Sequence, residues 1–268
     1  MNNIFSFSRF GNYFCYDLRN SAERFLLSLL INGILPLIIY IFFGLFHLAL
    51  DGSWEVNGSA VFASSLIVAL LTMTLTMPVK IYGGITDKKE GSNYLMLPAS
   101  SFEKFVSMML VILVVAPLIF CCLFFVSTSV LCLADSSFKE SIADLDYLRG
   151  VVAGFGIPTG FSTWFSFFLS YSQSVLIFTL GAICFKRGKV GKTILTLAVI
   201  SMVMSLFAST FLNTVDYEGV LNFLAERIGG KSAEEIFDIA ITISNIVEVL
   251  IMAALMVAIY FRIKTLKH

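Results

Sequence analysis

Six long apolar runs partition this 268-residue chain, at 25–50, 60–77, 105–133, 161–185, 193–212 and 239–261. A helix rises 1.5 Å per residue, so about 20 apolar residues cross roughly 30 Å of hydrocarbon, and each run is long enough to do so. Hydrophobic residues make up 58% of the chain and charged residues 13%, against about 45–50% and about 25% in a soluble domain. So little charge cannot cover a water-facing surface. The expected fold is all-α: a polytopic membrane protein with six transmembrane helices spread over residues 25–268. No long soluble domain, low-complexity tract or internal repeat interrupts it.

Basic residues orient the spans. Lys139, Arg149, Arg227 and Lys231 are the sparse basic residues of one set of loops, and all other Lys and Arg fall at the termini and in the alternate loops. The positive-inside rule then makes both termini cytoplasmic, in a multi-pass protein of the cell (inner) membrane. The formal net charge is zero, and no nucleic-acid partner is expected. Residues 1–24 carry no cleavable signal pattern, so the first run is expected to be a retained anchor. Phe7, Phe10, Phe14 and Leu18 recur at helical spacing, with Arg9, Asn12, Arg19 and Asn20 on the other side. That pattern predicts an amphipathic helix lying on the bilayer.

The stretch between the second and third runs is the most informative. Gly91 permits a chain reversal, and Pro98 disfavours helix at the residue before it. Between these breakers Tyr94, Leu95 and Leu97 form a short apolar element on the cytoplasmic side. Ser100 and Glu103 stand three apart, as in a capping box that starts the next helix. A short helix pinned in this way presents apolar side chains for docking in a partner's groove.

Glu90, Gly91, Leu95, Leu97, Pro98 and Ser100 together resemble the motif of the membrane subunit of type-2 ABC exporters. In that family an acidic residue and Gly precede a Leu and a Leu-Pro-x-Ser turn between spans two and three. Asp87, Lys88 and Lys89 stand where the family often has Arg next to the Glu. The six spans, the cytoplasmic termini, the leading amphipathic helix and an ordered outer segment before the last span are similar too. The resemblance implies a permease that pairs with a second permease, as a homodimer or otherwise. It implies that each permease engages a separate ATP-binding subunit, where ATP and Mg would be bound. Glu90, Gly91, Tyr94, Leu95, Leu97, Pro98, Ser100 and Glu103 would then form the ATPase-coupling loop.

Within the spans, Glu248 is the one carboxylate in an apolar run. A charge at mid-span costs about 2.5–3.5 kcal/mol on insertion scales, so it should face protein or water. Asn245 and Ser244 lie three and four residues earlier, on neighbouring positions of one helical face. These three, with Asn32 as the expected hydrogen-bonding partner in the second case, mark either a transport pathway or interface, or a bond that holds the bundle together. Ser201, Ser205 and Ser209 recur every four residues and are expected to let helices approach closely. Pro36 and Pro117 stand inside spans, where proline kinks a helix. Tyr217, Val220, Leu221 and Leu224 predict a short outer helix, and Ser232 with Glu235 a capping box before the last span.

Catalytic patterns are weak. Gly191-Lys192-Thr193 ends like a phosphate-binding loop, but Lys186 stands where the pattern needs glycine, and the flanks are spans. His47 and His268 form no zinc-protease pair, and no Gly-x-Ser-x-Gly elbow occurs. Asn57-Gly58-Ser59 matches a glycosylation acceptor that would be idle in a bacterial chain. Cys15, Cys121, Cys122, Cys132 and Cys184 match neither a zinc site nor a disulfide framework, and are expected to be small core-filling residues. No catalytic or metal site is expected. The alternatives to a permease are a non-transporting scaffold or sensor, or a standalone channel or secondary carrier using Glu248. The absence of an inverted repeat disfavours the carrier. Phe-rich and aliphatic spans hint at amphipathic or lipid-like cargo.

Overall fold

A computed structural model describes residues 5–54, 56–143, 161–214 and 233–265. Every regular element among them is helical. In chain order these are α1 (Phe7–Asp51), α2 (Gly58–Tyr82), a 3-10 turn (Gly83–Thr86), α3 (Lys88–Met96) and α4 (Ser101–Leu110). A π turn (Val111–Val115) joins α4 to α5 (Ala116–Ala134). There follow α6 (Ser136–Ala143), α7 (Phe161–Cys184), α8 (Lys189–Thr214) and α9 (Ala233–Thr265). Among the described residues, five helical stretches are long and apolar enough to cross a membrane: Phe7–Asp51, Gly58–Thr86, Ser101–Ala134, Lys189–Phe207 and Thr242–Thr265. A shorter apolar stretch, Phe168–Cys184, lies in α7. These are the helices of a membrane protein.

The leading segment does not form a helix of its own. It continues into the first apolar run as one 45-residue helix with no break between residues 24 and 25. The reason is visible in the buried stripe of α1. Tyr13, Asp17, Ser21, Phe25 and Leu29 follow one another at four-residue spacing, and Asn32, Gly33 and Pro36 continue it. The same face is therefore turned to protein along both segments, polar at first and apolar later. The phenyl stripe lies off this face: Phe7 is exposed, and Phe10, Phe14 and Leu18 are half-buried.

The main core lies where α1, α2, α4, α5, α7 and α9 converge, around Met73, Met77, Met108, Ile112, Leu176, Ile183 and Ile259. Methionine fills irregular gaps between helices well because it is unbranched and flexible. Helices α1 and α5 approach closely at Gly33, where a Cβ would meet the Cβ of Leu123 at 2.5 Å. Ser127 Oγ donates to the Gly33 carbonyl there at 2.7 Å. The expected kink at Pro117 takes the form of the π turn. Proline lacks an N–H and crowds the carbonyl four residues back, and just ahead of it the Ala116 N–H bonds the Val111 carbonyl instead.

Two packing expectations are corrected. Ser201, Ser205 and Ser209 are exposed, and Ser201 and Ser209 return their hydroxyls to carbonyls of their own helix. No described neighbour covers that part of α8, whose buried contact is near its start, at Thr193. Cys15, Cys121, Cys122 and Cys184 are exposed and Cys132 is half-buried, so they do not fill the core. A lipid-facing surface accepts a small apolar residue as readily as a core does. The outer helix expected around residues 217–224, and Ser232, lie outside the described residues.

Candidate docking helix and its moorings

Helix α3 follows the 3-10 turn and opens after Asp87, whose carbonyl accepts the Gly91 N–H at 2.8 Å. Glu90 lies in its first turn, where a carboxylate is favoured by the helix dipole. Gly91 is not the breaker expected from the sequence. It sits inside the helix, buried and without a positive φ. The reversal is made instead by the turn at Gly83–Thr86 and by extended Asp87. The other boundary holds: Leu97 is extended (φ −63°, ψ 131°) ahead of Pro98.

Three connections tether α3. Arg24 Nη1 donates to Glu90 Oε2 at 2.8 Å, linking α3 to α1. This pair presses on Gly84, where a Cβ would lie 1.7 Å from Glu90 Oε2 and would displace that carboxylate. At the preceding turn Lys189 of α8 donates to the Gly83 carbonyl, and its Nζ lies 3.7 Å from Asp87 Oδ1. Near the end of α3, Lys104 Nζ donates to the Tyr94 carbonyl at 2.6 Å and lies 4.8 Å from the centre of the Tyr94 ring. That combines a charge-assisted bond with a cation–π contact.

Beyond α3 the capping box forms as the sequence predicts. Ser100 Oγ accepts the Glu103 N–H at 3.2 Å, and Glu103 Oε2 accepts the Ser100 N–H at 2.7 Å. Glu103 is fully buried. Its carboxylate also accepts Arg9 Nη2 at 2.6 Å, Arg9 Nε at 2.9 Å and 3.1 Å, and the Ser6 N–H at 3.0 Å. A carboxylate so fully engaged fixes the start of α4 against the start of α1 and has no capacity left for a partner.

The expected docking residues therefore divide. Glu90, Gly91, Ser100 and Glu103 build the support. Tyr94, expected to face outward, packs against the main core, and its hydroxyl is sealed from solvent. Burial raises its pKa above the usual tyrosine range. Leu97 is half-buried and Pro98 exposed, while the Leu95 side chain lies outside the described set. The conspicuous apolar side chain on this surface is Met96, 78% exposed. Nothing in the short-range pattern separates Met96 from the apolar residues beside it, and only the burial of Tyr94 leaves it as the exposed one.

No family model matches the chain, and no characterised protein or solved structure is significantly similar to it. The exporter resemblance rests on the residues quoted for it.

The second expected cluster does not assemble as one. Asn32 is buried, donates Nδ2 to the Ser28 carbonyl at 2.7 Å, and accepts the Thr72 hydroxyl. It is satisfied within α1 and α2 and does not pair with Glu248. Glu248 is half-buried in α9, with Ser170 Oγ of α7 at 3.4 Å from each of its oxygens, a long and weak contact. Asn245 is half-buried one turn earlier, and Ser244 is exposed.

Proposed function

We propose that the chain is the permease subunit of an ATP-driven exporter, with a separate ATPase gripping α3 and ATP and Mg bound in that partner. In this proposal α7 joins the five long apolar helices to give six spans, with both termini cytoplasmic in the cell (inner) membrane. The permease works as a pair. The observation that carries the proposal is the mooring of α3. A nine-residue helix between two long helices is tied by side chains to α1, α4 and α8, yet it leaves Met96 bare. A loop that only connected two spans would need no such bracing. A motor that pushes on a helix needs it braced, because slack would absorb the stroke. The family motif over Glu90–Ser100 supports the same conclusion.

The test is co-purification of the tagged chain with its ATPase. Met96→Asp places a charge on the exposed apolar spot without touching the moorings, so the ATPase should be lost while thermal stability stays at the wild-type value. Met96→Leu should retain the partner. An intact, fully stimulated complex with Met96→Asp would sink the docking proposal.

A second function class has one observation in its favour. Among the described residues Glu248 is held only by long contacts to Ser170, as suits an ion- or proton-carrying carboxylate of a standalone carrier. In that case Glu248→Gln would change a pH-dependent flux with no ATPase present, and unchanged flux would exclude it.

A further inference from the structure

Helices α1, α2 and α3 enclose a cavity of about 90 Å³ that the docking proposal does not use. Asp17 lies in its wall, 4% exposed. Two hydroxyls, Tyr82 Oη at 2.8 Å and Ser107 Oγ at 2.6 Å, donate to Asp17, both to Oδ2. No donor reaches Oδ1, and no basic side chain pairs with Asp17 among the described residues. The Tyr94 hydroxyl, in the same wall, is sealed from solvent beside the Tyr13 hydroxyl. Arg24 and Glu90 also border the cavity, but they neutralise each other at 2.8 Å. What remains is one buried carboxylate with an open oxygen and no counter-charge, in a space of a few water volumes at roughly 30 Å³ each.

A buried carboxylate without a counter-charge is costly. An occupant relieves that cost if it is cationic, small and rich in N–H donors. A divalent metal fits poorly, since calcium takes about six to eight oxygen ligands and no group of three metal-ligating acidic, His or Cys side chains occurs among the described residues. The walls suit an ammonium group better. Tyrosine rings and hydroxyls, with the amides of Asn20 and Asn93, offer acceptors and π faces around a single carboxylate. We propose that this cavity binds a primary ammonium group, carried by a small free amine or by the headgroup of an aminophospholipid, with Asp17 as its counter-ion. Bound there, it would bridge α1, α2 and α3.

The experiment uses the full chain, purified in detergent, with methylammonium chloride as the probe. Ionic strength is held constant with N-methylglucamine chloride, whose cation is too large for the cavity. The wild type should gain about 3 °C in Tm, saturably, and sodium chloride should not reproduce the gain. Asp17→Asn should abolish the response, and Tyr94→Phe, which keeps the ring, should weaken it. In a parallel arm, nanodiscs of phosphatidylethanolamine are compared with nanodiscs of phosphatidylglycerol. Stabilisation by phosphatidylethanolamine that Asp17→Asn removes, with no response to methylammonium, assigns the ammonium to lipid; a methylammonium response assigns it to a free amine. A Tm that follows pH alone, equal gains from sodium, or an undiminished response in a folded Asp17→Asn protein would each overturn the proposal. If Asp17→Asn does not fold, an unweakened response in Tyr94→Phe overturns it.

Discussion

Arg24 and Glu90, 66 positions apart, meet at 2.8 Å and fasten α3 to the long first helix. Both side chains are partly exposed, 31% and 47%, so water screens the pair and its worth is about 0.5–1 kcal/mol. Its role is local. Glu90→Arg or Arg24→Glu should speed amide exchange in α3 about two- to fivefold and scarcely move the Tm. The exchanged pair, Arg24→Glu with Glu90→Arg, should recover most of the protection. Equal exchange in all three variants would show that α3 is held without this bond.

Gly84 gives a sharper test of the same mooring. Because an added Cβ would overlap Glu90 Oε2 at 1.7 Å, Gly84→Ala should displace the carboxylate and loosen α3 as much as Glu90→Ala does. In a Glu90→Ala background most of that cost should vanish. Additive effects on exchange would mean that Gly84 matters for another reason.

Ser100→Ala removes the acceptor for the Glu103 N–H and should cost about 1 kcal/mol of stability, whereas Ser100→Thr should cost little. Reversible denaturation in mild detergent measures both. A Tm unchanged by the alanine would mean that Arg9 and Glu103 alone set the start of α4.

At Gly33 the obstacle is the Leu123 Cβ, which no rotamer change can move. Gly33→Ala should therefore push α1 from α5 at a cost of about 1–3 kcal/mol. The measurement is thermal melting of the purified chain, and a wild-type melting curve would contradict the close approach.

The features legible from residue order were the local ones. The apolar runs announce helices because lipid demands a minimum length, and the Ser100–Glu103 box needs only residues three apart. Pro98 stopped a helix for the same short-range reason. Gly91 does not turn the chain, because glycine marks a turn only where the backbone needs it, and here it is buried inside α3. The bond between Arg9 and Glu103 spans 94 positions, and nothing in either neighbourhood names the other. Arg24 and Lys104 were legible only as charges for orienting spans. Asp17 looked like one more polar residue of the leader; its place on the four-residue stripe with Tyr13, Ser21 and Phe25 was the available signal, masked by the louder phenylalanines.

At 1.5 Å per residue, the 45 residues of α1 make a strut about 68 Å long. Its weakest point, Pro36, is buried against neighbouring helices and so splinted. A strut of that kind cannot swing at one end and stay still at the other. A twist applied near its start, where Arg9 and Arg24 bind the neighbouring helices, must arrive at the far tip beside Asp51 through the same rod.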